Sequence, residues 1–308
     1  MCGVYQKVEG IMRQYIRNSD IMEGQILTKL NDTNVDELID LSNETKKRGT
    51  AESYTYLKKV LSQYSIPCPT LYADKSIGYL ARSRMHLDGE ILFGSIQDVS
   101  YRKDDQNIRT FGRANEPGQS IFYCSNSYHA ARIETSEITR QNVDKDWEYT
   151  TTGAWEIQEE LCLISILTNQ DMRGENTPFD NTSYTFESMI EQLEIVETKA
   201  VLTFLNYISE EFRRRTEGNS TGYLVRCAFF NYALANLPYI DGFLFPSTLY
   251  QTEGVNLALK PSSIDRKLRF HSARRGKLQR VNLTDYGETQ VIESEIHNMG
   301  ETKIRWKI

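Results

Sequence analysis

Between residues 110 and 137 the chain reads TFGRANEPGQSIFYCSNSYHAARIETSE. A tight loop, a short strand and a helix start follow one another there. Gly112 precedes Arg113, and Asn115-Glu116-Pro117-Gly118 follows. Pro117 restricts φ and Gly118 accepts positive φ without steric cost, so the loop presents Arg113 rigidly. Ser120 to Cys124 is an apolar and aromatic run that reads as a buried strand, and Ser125-Asn126-Ser127 supplies oxygens suited to capping the next helix. On that helix Glu134 lies three and four residues from Ala131 and Ala130 and four before Ile138, within the small apolar stripe. A carboxylate on an inward face needs a reason, because burying it unpaired is costly. It is a structural ion pair with an Arg, an exposed residue on a rotated helix, or a working group in a site.

A second unit, residues 235–260, reads ANLPYIDGFLFPSTLYQTEGVNLALK. An Asp-Gly turn leads into a strand, Phe243 to Phe245, stopped by Pro246-Ser247, and the run from Gly254 to Leu259 reads as another buried strand. Ser247, where the first strand breaks, is placed to face a cleft at a sheet edge, although a lone Ser after Pro is more often a turn former. Upstream, Gly78-Tyr-Leu-Ala-Arg-Ser-Arg84 is a short strand carrying two arginines.

Taken in order, Gly-Arg-x-Asn-x-Pro-Gly, a strand ending Phe-Tyr, Ala-x-x-x-Glu, and much later Asp-Gly-Phe-Leu-Phe-Pro-Ser with Gly-x-Asn-Leu-Ala-Leu resemble the RES domain, a family named for its Arg, Glu and Ser. The resemblance spans about residues 76–282. Phe111-Gly-Arg-Ala-Asn115 stands where many members have Gly-Gly-Arg-Trp-Asn, which alters what packs beside the pocket.

The resemblance implies an α+β protein with an ADP-ribosyltransferase-like mixed or antiparallel sheet and flanking helices, to which the sequence ahead of it adds an N-terminal helical extension. It implies a toxin-like enzyme that breaks the nicotinamide–ribose bond of NAD+, with NAD+ as substrate and neither a cofactor nor a metal. Glu134 would stabilise the cationic ribose, and Arg113 with Arg82, or Arg84 as the second candidate, would clamp the pyrophosphate. Tyr123 would stack on or close over the nicotinamide side, and Ser247 would hydrogen-bond the ribose or orient the acceptor. Asn256 joins them as a dinucleotide-binding residue. The acceptor is water, phosphate or a protein side chain. A helix-turn-helix antitoxin of the Xre type, or an immunity protein, is the implied partner.

Composition agrees with this reading. The chain has 308 residues, 39% of them hydrophobic, enough for one sizeable core with a small extension. Its five cysteines form no Cys-x-x-Cys pair, which argues against a disulfide framework or a zinc site and for a reduced, cytoplasmic setting. No signal core or eighteen-residue apolar span is present, so no membrane is expected. The net charge of -6 gives no reason to expect nucleic-acid binding. Locally, residues 260–280 carry Lys260, Arg266, Lys267, Arg269, Arg274, Arg275, Lys277 and Arg280 against Asp265 alone; an edge strand guarded by its charges is the expectation, and a surface for phosphates or an acidic antitoxin the alternative.

Three units are expected: a helical extension over 1–72, a catalytic domain over 73–285 and a C-terminal tail or strand over 286–308. Helical spacing runs through Val8, Ile11, Met12, Tyr15 and Ile16, and again through Tyr54, Tyr56, Leu57, Val60, Leu61 and Tyr64 after Thr50 as cap. A central strand is expected over 153–168, and helices over 185–215 and 221–237. The opening Met-Cys-Gly also suits a class II glutamine amidotransferase nucleophile, but that fold needs a strand directly after Cys2, where the spacing is helical. A degraded relative that binds nucleotide or protein without turnover is the remaining alternative.

Overall fold

The computed structural model describes residues 21–22, 25–87, 92–139, 146–166, 189–191, 193–214, 216, 220–247, 254–281, 286–298 and 300–307. The helical expectation for residues 8–16, the Cys2 reading and the start of the 185–215 helix lie outside them.

Nine strands form one mixed sheet: β1 (Thr70–Ala73), β2 (Tyr79–Met85), β3 (Phe122–Ser125), β4 (Trp147–Ile157), β5 (Leu161–Ser165), β6 (Gly242–Pro246), β7 (Val255–Leu259), β8 (Leu268–Arg280) and β9 (Tyr286–Glu293). Their order across the sheet is β9-β8-β4-β2-β3-β7-β6-β5-β1, and β5 with β6 is the one parallel pair among them. Among the described residues six α-helices accompany the sheet: α1 (Asp32–Arg48), α2 (Ala51–Leu61), α3 (Tyr128–Thr135), α4 (Ile195–Arg213), α5 (Leu224–Asn236) and α6 (Pro261–Lys267). The protein is therefore α+β, as the sequence suggests.

Strands β5, β6 and β7 are buried along their whole length and apolar apart from Ser165 and Asn256, because both faces are covered. Cys162, Ile164, Phe243, Phe245 and Ala258 face a core built with α1, α2, α4 and α5, while Leu161, Leu163, Leu244, Leu257 and Leu259 face a second core with Phe93, Val99, Trp155, Phe270 and Ile304. Asp241, 1% exposed, anchors the entry to β6: it accepts from Cys162 N at 2.8 Å and Ser263 Oγ at 2.7 Å and pairs with Lys267 at 2.6 Å.

Several expectations are corrected. The 161–165 run is not central but next to last, covered by β1. The strand before Ser247 lies inside the sheet between β5 and β7, not at an edge, because the run from Val255 pairs with it along its whole length. The basic segment 260–280 is also not an edge: it forms α6 and then β8, flanked by β4 and β9. Its charges find partners that local sequence hides, Arg269 with Glu156, Arg274 with Glu288 and Lys267 with Asp241. The boundary expected at 72/73 falls within β1, and α1 and α2 pack on α4 and α5 in the first core. Residues 286–293 continue the sheet as β9, and beyond it Ser294 bridges Trp306 while Lys303 bridges Ser95.

Candidate functional site

Strands β2 and β3 are neighbours, yet they pair at one register position, Ala81 opposite Ser125. Beyond it β2 stays with β4 as far as Met85 and leaves β3. A cleft of about 770 Å³ opens in this split, a size suited to a small-molecule ligand. Arg82 spans it: its Nη1 donates to Tyr123 O at 3.0 Å and its Nε to Ser100 O at 3.0 Å, tying both walls together. Burial lowers this guanidinium to about 10, and Arg84 and Arg102 push in the same direction. Arg84 lines the cleft as well, because residues two apart on a strand share a face; it donates to Asp98 O at 3.2 Å.

The loop before β3 carries Arg113 and is knotted by Tyr123. The Tyr123 hydroxyl accepts from Ala114 N at 2.8 Å and donates to Asn115 Oδ1 at 2.9 Å, while Gly112 N donates to Asn115 O at 2.9 Å. A methyl group on Gly112 would come within 2.1 Å of Asn115 Oδ1, so glycine is required by close approach. Burial raises the Tyr123 hydroxyl well above the usual phenol range, keeping it a neutral donor. Tyr123 thus holds the Arg113 loop through its hydroxyl, and the residue also lines the cleft.

Helix α3 begins where expected. Ser127 Oγ accepts from Ala130 N at 3.3 Å, and Ser125 Oγ and Asn126 Oδ1 bind the backbone of Val255 at 2.8 and 2.9 Å, fixing the helix start to β7. The helix ends at Thr135, before Ile138, and its last turn carries Glu134 into the cleft. Glu134 Oε1 accepts from Ser247 Oγ at 2.6 Å and from Asn256 Nδ2 at 3.1 Å, and Oε2 lies 3.7 Å from Arg113 Nη2. Side chains of Arg113 and Glu134 are 16% and 14% exposed, enough to meet a ligand but too little for free solvation. Ser247 itself is 4% exposed, beside the carboxylate, with its proton directed at Glu134. The Arg113 Cζ also lies 5.6 Å from the Phe245 ring centroid.

All six residues singled out from sequence, with Arg84, therefore converge. Arg82, Arg84, Arg113, Tyr123, Glu134 and Asn256 line the cleft, and Ser247 supports it from one shell back. Sequence reasoning missed Asn115, whose place in Gly-Arg-x-Asn was the available signal, and Tyr223 and Phe245, which line the cleft without a local signature. Cationic side chains outnumber carboxylates in the lining: Arg82, Arg84, Arg102, Lys103 and Arg113 against Asp98, Asp104 and Glu134. Such a field attracts an anionic ligand and leaves one acidic group at the Arg113 end.

Thiol chemistry does not fit the described cysteines. Cys68, Cys162 and Cys227 are buried, which pushes each thiol up to about 12, far from a reactive thiolate. Among the described residues no group of three His, Cys, Asp or Glu side chains could hold a metal, and no helix is long and apolar enough to cross a membrane. No protein-family model matches the chain, and no curated protein matches it.

Proposed function

We propose that this protein cleaves the nicotinamide–ribose bond of NAD+, as the resemblance to RES domains implies. The observation that carries the reading is the Glu134 carboxylate, oriented by Ser247 and Asn256 at one end of a cationic cleft. In the proposed step the C1′–N bond breaks with its electron pair moving to the nicotinamide nitrogen, so a neutral ring leaves and C1′ becomes oxocarbenium-like. A carboxylate held in advance beside that carbon stabilises the charge as it develops. Arg113 and the Arg82–Arg84 wall clamp the pyrophosphate, for which a guanidinium fork suits better than an ammonium. The acceptor then adds at C1′: water releases a proton and gives ADP-ribose, phosphate gives its 1-phosphate, and a protein side chain gives a modified protein. A toxin-like role in the cytoplasm, restrained by an Xre-type or immunity partner, belongs to the same proposal.

The contacts around Glu134 also favour a second reading, a module that holds a dinucleotide without turnover, since a carboxylate so fully engaged resembles a structural pair. Incubation with NAD+, with and without phosphate, separates the two. Nicotinamide release that disappears in Glu134→Gln supports cleavage, and the ribose product names the acceptor; tight binding without release supports the module.

A further inference from the structure

Beyond the Arg113 loop the cleft continues into a smaller annex of about 240 Å³, sharing Arg82, Arg102, Gly112 and Tyr123 with it. The annex wall carries Arg82, Arg102 and Arg109 and no carboxylate. Of the nearby acids, Glu116 pairs with Lys58 at 3.1 Å and accepts from Tyr54 at 2.9 Å, while Asp104 accepts from Asn107 Nδ2 at 2.8 Å and interacts electrostatically with Arg102 and Arg84. Arg82 is fixed by its two backbone contacts, and the Arg102 backbone is held through Ser120 Oγ on its carbonyl at 2.5 Å. Arg109 is exposed and, among the described residues, makes no hydrogen bond or ion pair. Three guanidiniums around a small polar hollow whose wall carries no carboxylate, with Asp104 acting on Arg102 from outside it, match a phosphate monoester, whose charge at neutral pH is nearly two.

We propose that the annex is a phosphate-monoester subsite, so that the cleft selects a dinucleotide bearing an extra ribose phosphate, NADP+, over NAD+. This rests on the dinucleotide reading of the main cleft. It adds that Arg109, with Arg102, sets substrate choice without touching the reacting carbon.

The test uses the full chain carrying Glu134→Gln, which keeps the dinucleotide uncleaved, and titrates NAD+ and NADP+ by calorimetry with and without Arg109→Ala. NADP+ is expected to bind about tenfold tighter than NAD+, and Arg109→Ala to erase that difference while leaving NAD+ unchanged. Equal affinities, or an equal loss for both ligands, overturn the proposal. Binding of neither dinucleotide refutes the parent reading instead, and inorganic phosphate then decides the annex: binding abolished by Arg109→Ala keeps it as a phosphate site, and no binding removes it. Phosphate binding that depends on Arg109 while the two dinucleotides remain equal assigns the annex to the free ion and overturns the NADP+ form.

Discussion

At the scale of single residues, the question is how one carboxylate is aimed inside a wall of protein. Glu134 receives two neutral hydrogen bonds on one oxygen and faces a cation with the other, which holds the carboxyl plane in place. Glu134→Gln preserves shape but removes the charge, so nicotinamide release is expected to fall by about 10²-fold or more with NAD+ binding retained, read by chromatography and calorimetry. Arg113→Lys replaces a fork by a point charge; KM for NAD+ is expected to rise about tenfold with little change in kcat. Tyr123→Phe leaves the Ala114 N–H and Asn115 Oδ1 without their partner, costing about 1–3 kcal/mol of stability by denaturant melt, and KM is expected to rise because the Arg113 loop loosens. An unchanged KM in that variant would mean that the loop keeps Arg113 in place without the knot.

At the scale of elements, the site exists because two neighbouring strands part company. Once β2 leaves β3, side chains replace the missing ladder bonds, and Arg82 is the clearest case. Helix α3 is short, so its stability depends on its cap and on its seat against β7. Ser127→Ala removes the cap and is expected to cost about 0.5–2 kcal/mol, seen as a lowered unfolding midpoint, together with reduced NAD+ cleavage, because Glu134 occupies the last turn of the same helix. These element identities were legible beforehand: Pro117 and Gly118 announce a loop, the Phe-Tyr run a strand and the Ser-Asn-Ser triplet a cap. Each rests on torsional or hydrogen-bonding preferences that act within a few residues.

At the scale of the molecule, the sheet is a wall shared by two cores, and the N-terminal helices belong to one of them. Leu38, Leu57 and Leu61 are at most 1% exposed against α4 and α5, and Tyr54 reaches Glu116 at the loop that carries Arg113. Burial of each large apolar side chain stabilises by about 1.5–3 kcal/mol, and a whole domain holds only about 5–15 kcal/mol. A chain truncated to begin at residue 73 is therefore expected to be unfolded or aggregated by circular dichroism and size exclusion, rather than to behave as an independent catalytic domain. A folded, active fragment would show that the helices are dispensable. The charged segment 260–280 teaches the same lesson: part of its apparent excess of cations is met once Glu156 and Glu288 arrive from other strands and Asp241 from the turn before β6.

The amino-acid order alone specified the loop, strand and helix of 110–137 and the buried runs at 242–246 and 255–259, because periodicity, turn chemistry and capping are local properties; the grouping of Arg82, Arg113, Tyr123, Glu134, Ser247 and Asn256 came from the resemblance. It could not specify which strands neighbour each other, nor that Ser247 and Asn256, 113 and 122 residues away in the chain, would turn their donors onto Glu134. Strand order follows from how two cores fill on either side of one sheet, a sum over contacts distant in sequence. The same packing chose the wedge between β2 and β3, and with it the volume that makes a collection of polar side chains into a site.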